Sequence, residues 1–413
     1  MTHKDGMWRS AQWNNRLKAI ALGLGLALST LTVRHWWSIF NYGHPPCNDC
    51  VADFPQFYAG AKLVWENPSA LYDYSAQLAI QKSVDPRIED ATQPFAYPPF
   101  TALLLMPLAW LPFSGAFAVM TLVNVGLLSF VLLFLVRYLG LKQDQWKWLL
   151  LSTFCNFGVH SVVLGGQTSV VVLSCVTAFM FAVLNKKQFA AGLWAAGVFF
   201  KPQLLLVPFI VIVFKKLWKA LFISCLVLVI LGLISIWIVG IPGITSYLQL
   251  LRFYGTTESG FGSYPQYMHN LRALVQYYTS FSYARYAWVA LVIPIAASTM
   301  WLNASAPDEE RSTATLWVGN FVAMMLLTPH LYAHDLTLMI VPSALILKMC
   351  DGSIPWFVPS LLIFTGVFPI LSSVIGPQVP PLVPMIFLAG YSLCIWQIWN
   401  TKKLRANCVA VIE

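Results

Sequence analysis

Charge is what this chain has least of. Only 10% of its 413 residues are Asp, Glu, Lys or Arg, while 58% are hydrophobic. A soluble domain carries about 25% charged residues. So few charges cannot cover a surface facing water, which excludes an ordinary soluble enzyme. Acidic residues number only 16, and no Asp-x-Asp pair occurs. Hard divalent cations want clustered carboxylates, so no metal and no other cofactor is expected. No low-complexity tract, internal repeat or soluble domain stands out. A cleavable leader is not expected either, because the first apolar run, Leu17 to Phe40, is too long and lacks a small-residue cleavage motif.

What is present is a series of apolar runs of helix-spanning length. The reading is an all-α polytopic membrane protein, residues 1–413 forming a single integral domain of about 12 transmembrane helices plus juxtamembrane helices outside the cytoplasm. Spans are expected at 17–40, 113–137, 149–165, 168–184, 188–200, 202–214, 220–240, 284–302, 314–329, 335–349, 354–375 and 380–399. With this trace, 17 of the 25 Lys and Arg residues fall in alternate loops. The positive-inside rule makes those loops cytoplasmic, together with the N-terminus (1–16) and the tail (400–413). The net charge of +9 is thereby used for orientation and calls for no nucleic acid.

Two outer loops are long, 41–112 and 241–285. In the first, Phe54, Phe57, Tyr58, Ala61, Val64 and Trp65 recur at helical spacing, which predicts an amphipathic helix lying on the membrane surface. Asn67-Pro68-Ser69 should break it, and a second short helix is expected from Tyr74 to Ser83. The stretch from Pro98 to Leu111 is apolar but proline-rich and reads as membrane-associated without spanning. The second loop, rich in Tyr, Gly and Phe, suits a lid or an acceptor platform.

Polar residues gather at the outer ends of these spans, and ionisable groups at membrane depth are costly and usually functional. Asp53 is placed to act as a general base or, more plainly, to N-cap the helix starting at Phe54. Lys201, between Phe200 and Pro202 in a hairpin of two very short spans, could meet an anionic phosphate or snorkel to headgroups. His330 and His334 would share a helix face at i, i+4, with Asp335 as a cap. Their spacing imitates a zinc site, but the Glu of an H-E-x-x-H motif is missing. Gln167, at the knuckle Gly165-Gly166-Gln167, and Asn270 could bond hydroxyl groups or act as interhelical glue. Arg272 could neutralise phosphate. Cys47-x-x-Cys50 in an outer loop favours a disulfide.

At these residues the chain resembles glycosyltransferase family 87, a group with the GT-C fold that includes polyprenyl-phosphate-mannose-dependent α-1,2-mannosyltransferases of bacterial envelopes. The likeness rests on Asp53-Phe-x-x-Phe-Tyr58-x-Ala, Ala96-Tyr97-Pro98-Pro99, Gly166-Gln167, Phe200-Lys201-Pro202 and Thr328-Pro329-His330…His334-Asp335. The family commonly has Ser-Pro where this chain has Thr328-Pro329. The resemblance implies a GT-C-like membrane enzyme of the bacterial inner membrane with its site facing outward. It implies an inverting displacement from a polyprenyl-phosphate sugar donor, with mannose the sugar of the family's best-known case, onto a glycan or glycolipid acceptor. Asp53 would be the base. Lys201, His330 and His334 would bind the donor phosphate. Tyr58, Tyr97, Gln167, Asn270, Arg272 and Asp335 would shape the donor and acceptor pocket. A multi-span lipid or solute transporter is the competing reading, supported by the short hairpins, and an enzyme using a lipid-diphosphate donor is a third.

Overall fold

The computed structural model describes residues 3–42, 53–86, 88, 94–256, 267–350, 354–355, 357–375 and 381–410. Cys47 and Cys50 lie outside these residues. No strand occurs among the described residues. The helices are α1 (His3–Tyr42), α2 (Phe54–Glu66), α3 (Tyr74–Val84), α4 (Pro99–Leu105), α5 (Phe113–Tyr138), α6 (Gln143–Phe154), α7 (Phe157–Gly165), α8 (Ser169–Leu184) and α9 (Gln188–Gly197). There follow α10 (Leu206–Phe214), α11 (Trp218–Thr256), α12 (Leu271–Tyr278), α13 (Phe281–Ser305), α14 (Glu310–Leu327), α15 (Ile340–Met349), α16 (Phe357–Ile375) and α17 (Leu382–Ala410).

Among the described residues, five helices are long and apolar enough to cross a membrane: Gln12–Asn41 of α1, α5, Trp218–Phe253 of α11, Tyr283–Ser305 of α13 and Leu382–Lys403 of α17. No more than a third of each apolar window is buried. Large side chains such as Leu122, Phe222 and Trp237 stand fully outward. Contiguous apolar surface on that scale marks a membrane-facing belt. A sixth span arises if α6 and α7, bent by 51° at Cys155 and Asn156, count as one. Asn156 stops one helix and starts the next, its Oδ1 accepting the Gly158 N–H at 2.7 Å.

The twelve-span trace is therefore met in part. α8, with 16 residues, is about 24 Å long at 1.5 Å per residue, short of a hydrocarbon core of about 30 Å. α9 and α10 are shorter still, at 10 and 9 residues. α8 and α14 form the interior, while α9 and α10 keep an outward apolar face with Phe189, Trp194 and Leu206 exposed. In α14 all but a few of the first residues are buried, as a helix apolar all round requires. Polar pairs hold this interior together: Asn303 of α13 donates to Asn320 of α14 at 2.7 Å, and Asn320 donates back at 3.2 Å.

One expectation for the first outer loop is revised. α2 forms where its periodicity predicts, but its apolar face packs on protein rather than on lipid. Ten of its 13 residues are buried. Phe54 meets Phe113 and Phe117 of α5 at 5.4 Å between ring centres, and Phe57 meets Tyr97 at 5.0 Å. α3 begins at Tyr74 as expected, with Asp73 as its cap accepting the Ala76 N–H at 2.8 Å. The 98–111 segment is α4 plus a 3-10 turn, Met106–Trp110, too short to span. In the second loop α11 runs on past its expected end, after a break at Gly240, whose φ of 67° is open to glycine.

The helices sort into two ends. Asp53, Gly165, Ser169, Lys201 and Asp335 are neighbours at one end. At the other, Asn185 donates to the Tyr138 hydroxyl at 2.8 Å, Gln145 donates to the Leu347 carbonyl at 2.8 Å, and the Lys348 ammonium lies 3.9 Å from Glu310. The hairpin α8–α9 runs from one end to the other and back, and α9 is clamped to α11 where Gly192 lets the backbones touch. A Cβ there would lie 2.6 Å from the Ala220 carbonyl oxygen and 2.7 Å from the Ile223 Cβ. We expect Gly192→Ala to cost about 1–3 kcal/mol by overpacking, seen as a lowered unfolding temperature in detergent. An unchanged temperature would show that α11 yields freely.

Candidate active site

The site is built from turns between helices, because a turn is where a polar side chain escapes the apolar packing of a span. Lys201 follows the 3-10 turn Val198–Phe200 and precedes the turn Pro202–Leu204. Pro202 disfavours helical backbone in the residue before it, and Lys201 is accordingly extended, with φ −127° and ψ 84°. The hairpin thus stops inside the protein and its lysine is only 2% exposed. There the Lys201 ammonium pairs with Asp335 and donates to the Ser169 hydroxyl at 2.8 Å. Ser169, the first residue of α8, closes the triangle by donating to Asp335 Oδ1 at 2.9 Å. Breaking such a buried pair leaves an uncompensated charge.

Asp53 precedes α2 but does not cap it. Its backbone is helical, and its carboxylate makes no capping bond. The carboxylate turns instead toward α7 and accepts a hydrogen bond from the Gln167 amide on Oδ2. Two glycines make that approach possible. A Cβ on Gly165 would sit 3.2 Å from Asp53 Oδ2. Gly166 ends α7 in the left-handed region at φ 59°, and a Cβ on it would strike the Phe54 ring at 2.8 Å.

Gln167 is a node. Besides Asp53, its side chain accepts from the Tyr97 hydroxyl at 3.4 Å, and its backbone carbonyl accepts from Asn124 at 2.9 Å. Tyr97 is held through the Tyr72 hydroxyl, which donates to its carbonyl at 2.6 Å, and through Gln77, which accepts the Phe95 N–H at 2.6 Å.

His334 joins the two halves. Its Nδ1 lies 3.9 Å from Asp53 Oδ2 and its Nε2 lies 3.6 Å from Asp335 Oδ2. His330 and His334 do not share a helix face. After Thr328 the chain leaves α14 and runs without helix to the 3-10 turn Ala333–Met339. The rings of His330, Tyr332 and His334 instead form a ladder spaced 6.0 and 5.9 Å. Asp335 caps the turn from its third position rather than from its N-cap, accepting the N–H of the N-cap residue Tyr332 at 3.4 Å.

Two expected pocket residues, Asn270 and Tyr58, find other places, while Arg272 stays beside the histidine segment. Asn270 is fully buried: it caps α12 by accepting the Ala273 N–H at 3.0 Å and donates to the Thr328 carbonyl at 2.8 Å. It is glue that holds the histidine segment, helped by the His269 N–H bond to the Leu331 carbonyl at 2.8 Å. Tyr58 donates its hydroxyl to the Leu111 carbonyl at 2.9 Å and packs its ring on Phe113. Arg272 is buried near His330, close enough to act on its charge. Ser169, Asn124, His269 and Tyr332 escaped sequence reasoning. Asn124 sits in an apolar run and Ser169 directly after Gln167-Thr168, where their only signal was being polar.

The sequence pattern of glycosyltransferase family 87 matches residues 95–329, more than half of the chain. The chain belongs to glycosyltransferase family 87. It is therefore a membrane glycosyltransferase, and the transporter reading is not favoured. The matched stretch holds Tyr97, Gln167, Lys201, Asn270 and Arg272, while Asp53, His330, His334 and Asp335 flank it. Comparison with curated proteins yields no match. Among the described residues no three His, Cys, Asp or Glu side chains converge as metal ligands would.

Two outcomes follow for this enzyme. Lys201→Met should destabilise it by about 3–5 kcal/mol, and adding Asp335→Leu should restore much of that; denaturant titration of the single and double variants reads it, and equal losses in both would contradict the pairing. Burial, helped by the Arg272 charge and opposed by Asp335, pushes His330 down to about 4. Burial pushes His334 down to about 3, with Lys201 and His269 adding to it and Asp335 opposing. Both are neutral when folded, whereas an unfolded histidine titrates near 6.5. Their contribution to stability is thus complete above about 6.5 and lost as pH falls toward 4. Thermal unfolding from pH 7.5 to 5 should drop more steeply for the native enzyme than for His330→Gln/His334→Gln; parallel curves would refute the assignment.

Proposed function

We propose that this enzyme transfers a sugar from a polyprenyl-monophosphate donor to a hydroxyl group of an envelope glycan or glycolipid, with inversion at the anomeric carbon. The observation that carries the reading is the convergence of Asp53 with the Lys201–Asp335 pair across one imidazole, His334. A base and a cation on facing sides of one site are what an inverting displacement asks for.

In this scheme Asp53 takes the proton of the acceptor hydroxyl as that oxygen attacks the anomeric carbon. The bond from that carbon to the phosphate oxygen breaks, and the lipid monophosphate leaves with the electron pair. The Gln167 bond to Asp53 Oδ2 holds the carboxylate in place for the acceptor. An ammonium has three donors, and Asp335 and Ser169 engage two of those of Lys201. The third answers the phosphate, together with donor bonds from the neutral rings of His330 and His334 and the charge of Arg272. Asp335 holds Lys201 in place and offsets its charge until the phosphate arrives. Tyr97 and Gln167 line the sugar. No metal or other cofactor enters the scheme.

The architecture in this proposal is GT-C-like, with about a dozen helices crossing or entering the bilayer and α2–α4 above it. Sorting of Lys and Arg to the end away from Asp53 supports a site facing outward from a bacterial inner membrane, with both termini in the cytoplasm. Mannose is proposed from family resemblance alone. Asp53→Asn should fold normally, keep its donor, and lose transfer by about 10²–10⁴-fold in a reconstituted assay with a polyprenyl-phosphate hexose. Normal transfer would falsify the role of Asp53. Mass spectrometry of the spent lipid should find a monophosphate; a diphosphate would favour the third reading.

A further inference from the structure

The end of the molecule away from Asp53 carries a second built feature. Residues Lys186, Lys187, Gln188, Phe189, Ala190 and Lys219 line a cavity of about 480 Å³. It opens where the α8–α9 turn meets the start of α11. The geometry is fixed, because the Gly192 contact locks α9 to α11, Ser224 donates to the Gly192 carbonyl at 3.0 Å, and the Lys219 N–H donates to Gln188 Oε1 at 3.1 Å.

Three lysines face this space, and among the described residues none of them takes part in an ion pair. Lys215 and Lys216 add charge on the next turn, with Asp308 as the acidic group acting on Lys215. The placement of lysine is not what the backbone prefers. Lys186 and Lys216 each follow a helix end in the left-handed region, at φ 57° and 55°, where glycine is the relaxed choice. Exposed Phe189 and Trp218 flank the cavity, as aromatic side chains do at headgroup level. A cationic recess between membrane helices, rimmed by aromatic rings, matches the phosphate of a lipid whose acyl chains lie along the exposed faces of α9 and α11.

We infer that this recess is a binding site for the phosphate headgroup of an anionic phospholipid, separate from the catalytic site and joined to it by the α8–α9 hairpin that carries Ser169 and leads to Lys201. The test uses the full-length enzyme in nanodiscs of phosphatidylcholine with or without phosphatidylglycerol, and native mass spectrometry counts retained phosphatidylglycerol. Lys186→Gly/Lys187→Gln/Lys219→Gln removes three charges, and the glycine suits the backbone at 186, so folding should persist. Each basic residue near an anionic surface contributes a factor of about five, so retention should weaken on the order of a hundred-fold. Lys402→Gln/Lys403→Gln, which removes charge at the end of α17, should retain the lipid as the native enzyme does. Undiminished retention by the triple variant would overturn the site. So would an equal loss in the control, which marks general surface charge, or displacement of the lipid by inorganic phosphate at millimolar concentration, which marks a site for free anions.

Discussion

The buried pair of Lys201 and Asp335 is the constraint around which the rest is arranged. Neither group can be left alone away from water, so each requires the other. Lys201 comes from a hairpin and Asp335 from the turn after α14, and the Ser169 hydroxyl joins both from the start of α8. Three parts of the chain are fixed at one point, Asp335 lying more than 130 residues from each of the other two. The short helices α8, α9 and α10 make sense in this light. They need to bring a turn to the right depth in the protein, not to cross a bilayer.

A second layer depends on the first. His334 follows Ala333 into the turn that Asp335 stabilises, so pairing at Asp335 also aims the imidazole at Asp53. On the other side the Gly165-Gly166-Gln167 end of α7 receives Asp53 by removing side chains where the carboxylate and the Phe54 ring must pass. The aromatic packing of α2 on α5 then holds Asp53 at that distance. The site so formed has carboxylates at Asp53 and Asp335, cations at Lys201 and Arg272, and neutral imidazoles between them.

Local rules made part of this legible. Pro202 fixed the turn at Lys201 and Asn67-Pro68 ended α2, because proline restricts its own backbone and that of the residue before it whatever surrounds them. Apolar length gave the five long spans. Periodicity showed that α2 has an apolar face but not whether lipid or protein covers it, since both are equally apolar. The i, i+4 spacing of His330 and His334 suggested a shared face only if the segment were helical, and tertiary bonds from Asn270 and His269 hold it extended instead. Long-range partners were the least readable. A serine at the head of α8 and an asparagine midway along α5 look alike on paper, as polar interruptions, yet one grips the ion pair and the other the node beside Asp53.

The central claim is that the donor phosphate comes to rest between the lysine hairpin and the aspartate that precedes α2. An experimental structure of the enzyme with a bound polyprenyl monophosphate tests this most directly. The account predicts phosphate density within hydrogen-bond reach of Lys201 and the imidazoles of His330 and His334, with Asp53 on the opposite side of the sugar position. Phosphate resting anywhere out of reach of Lys201, or Asp53 turned away from the sugar, would contradict it.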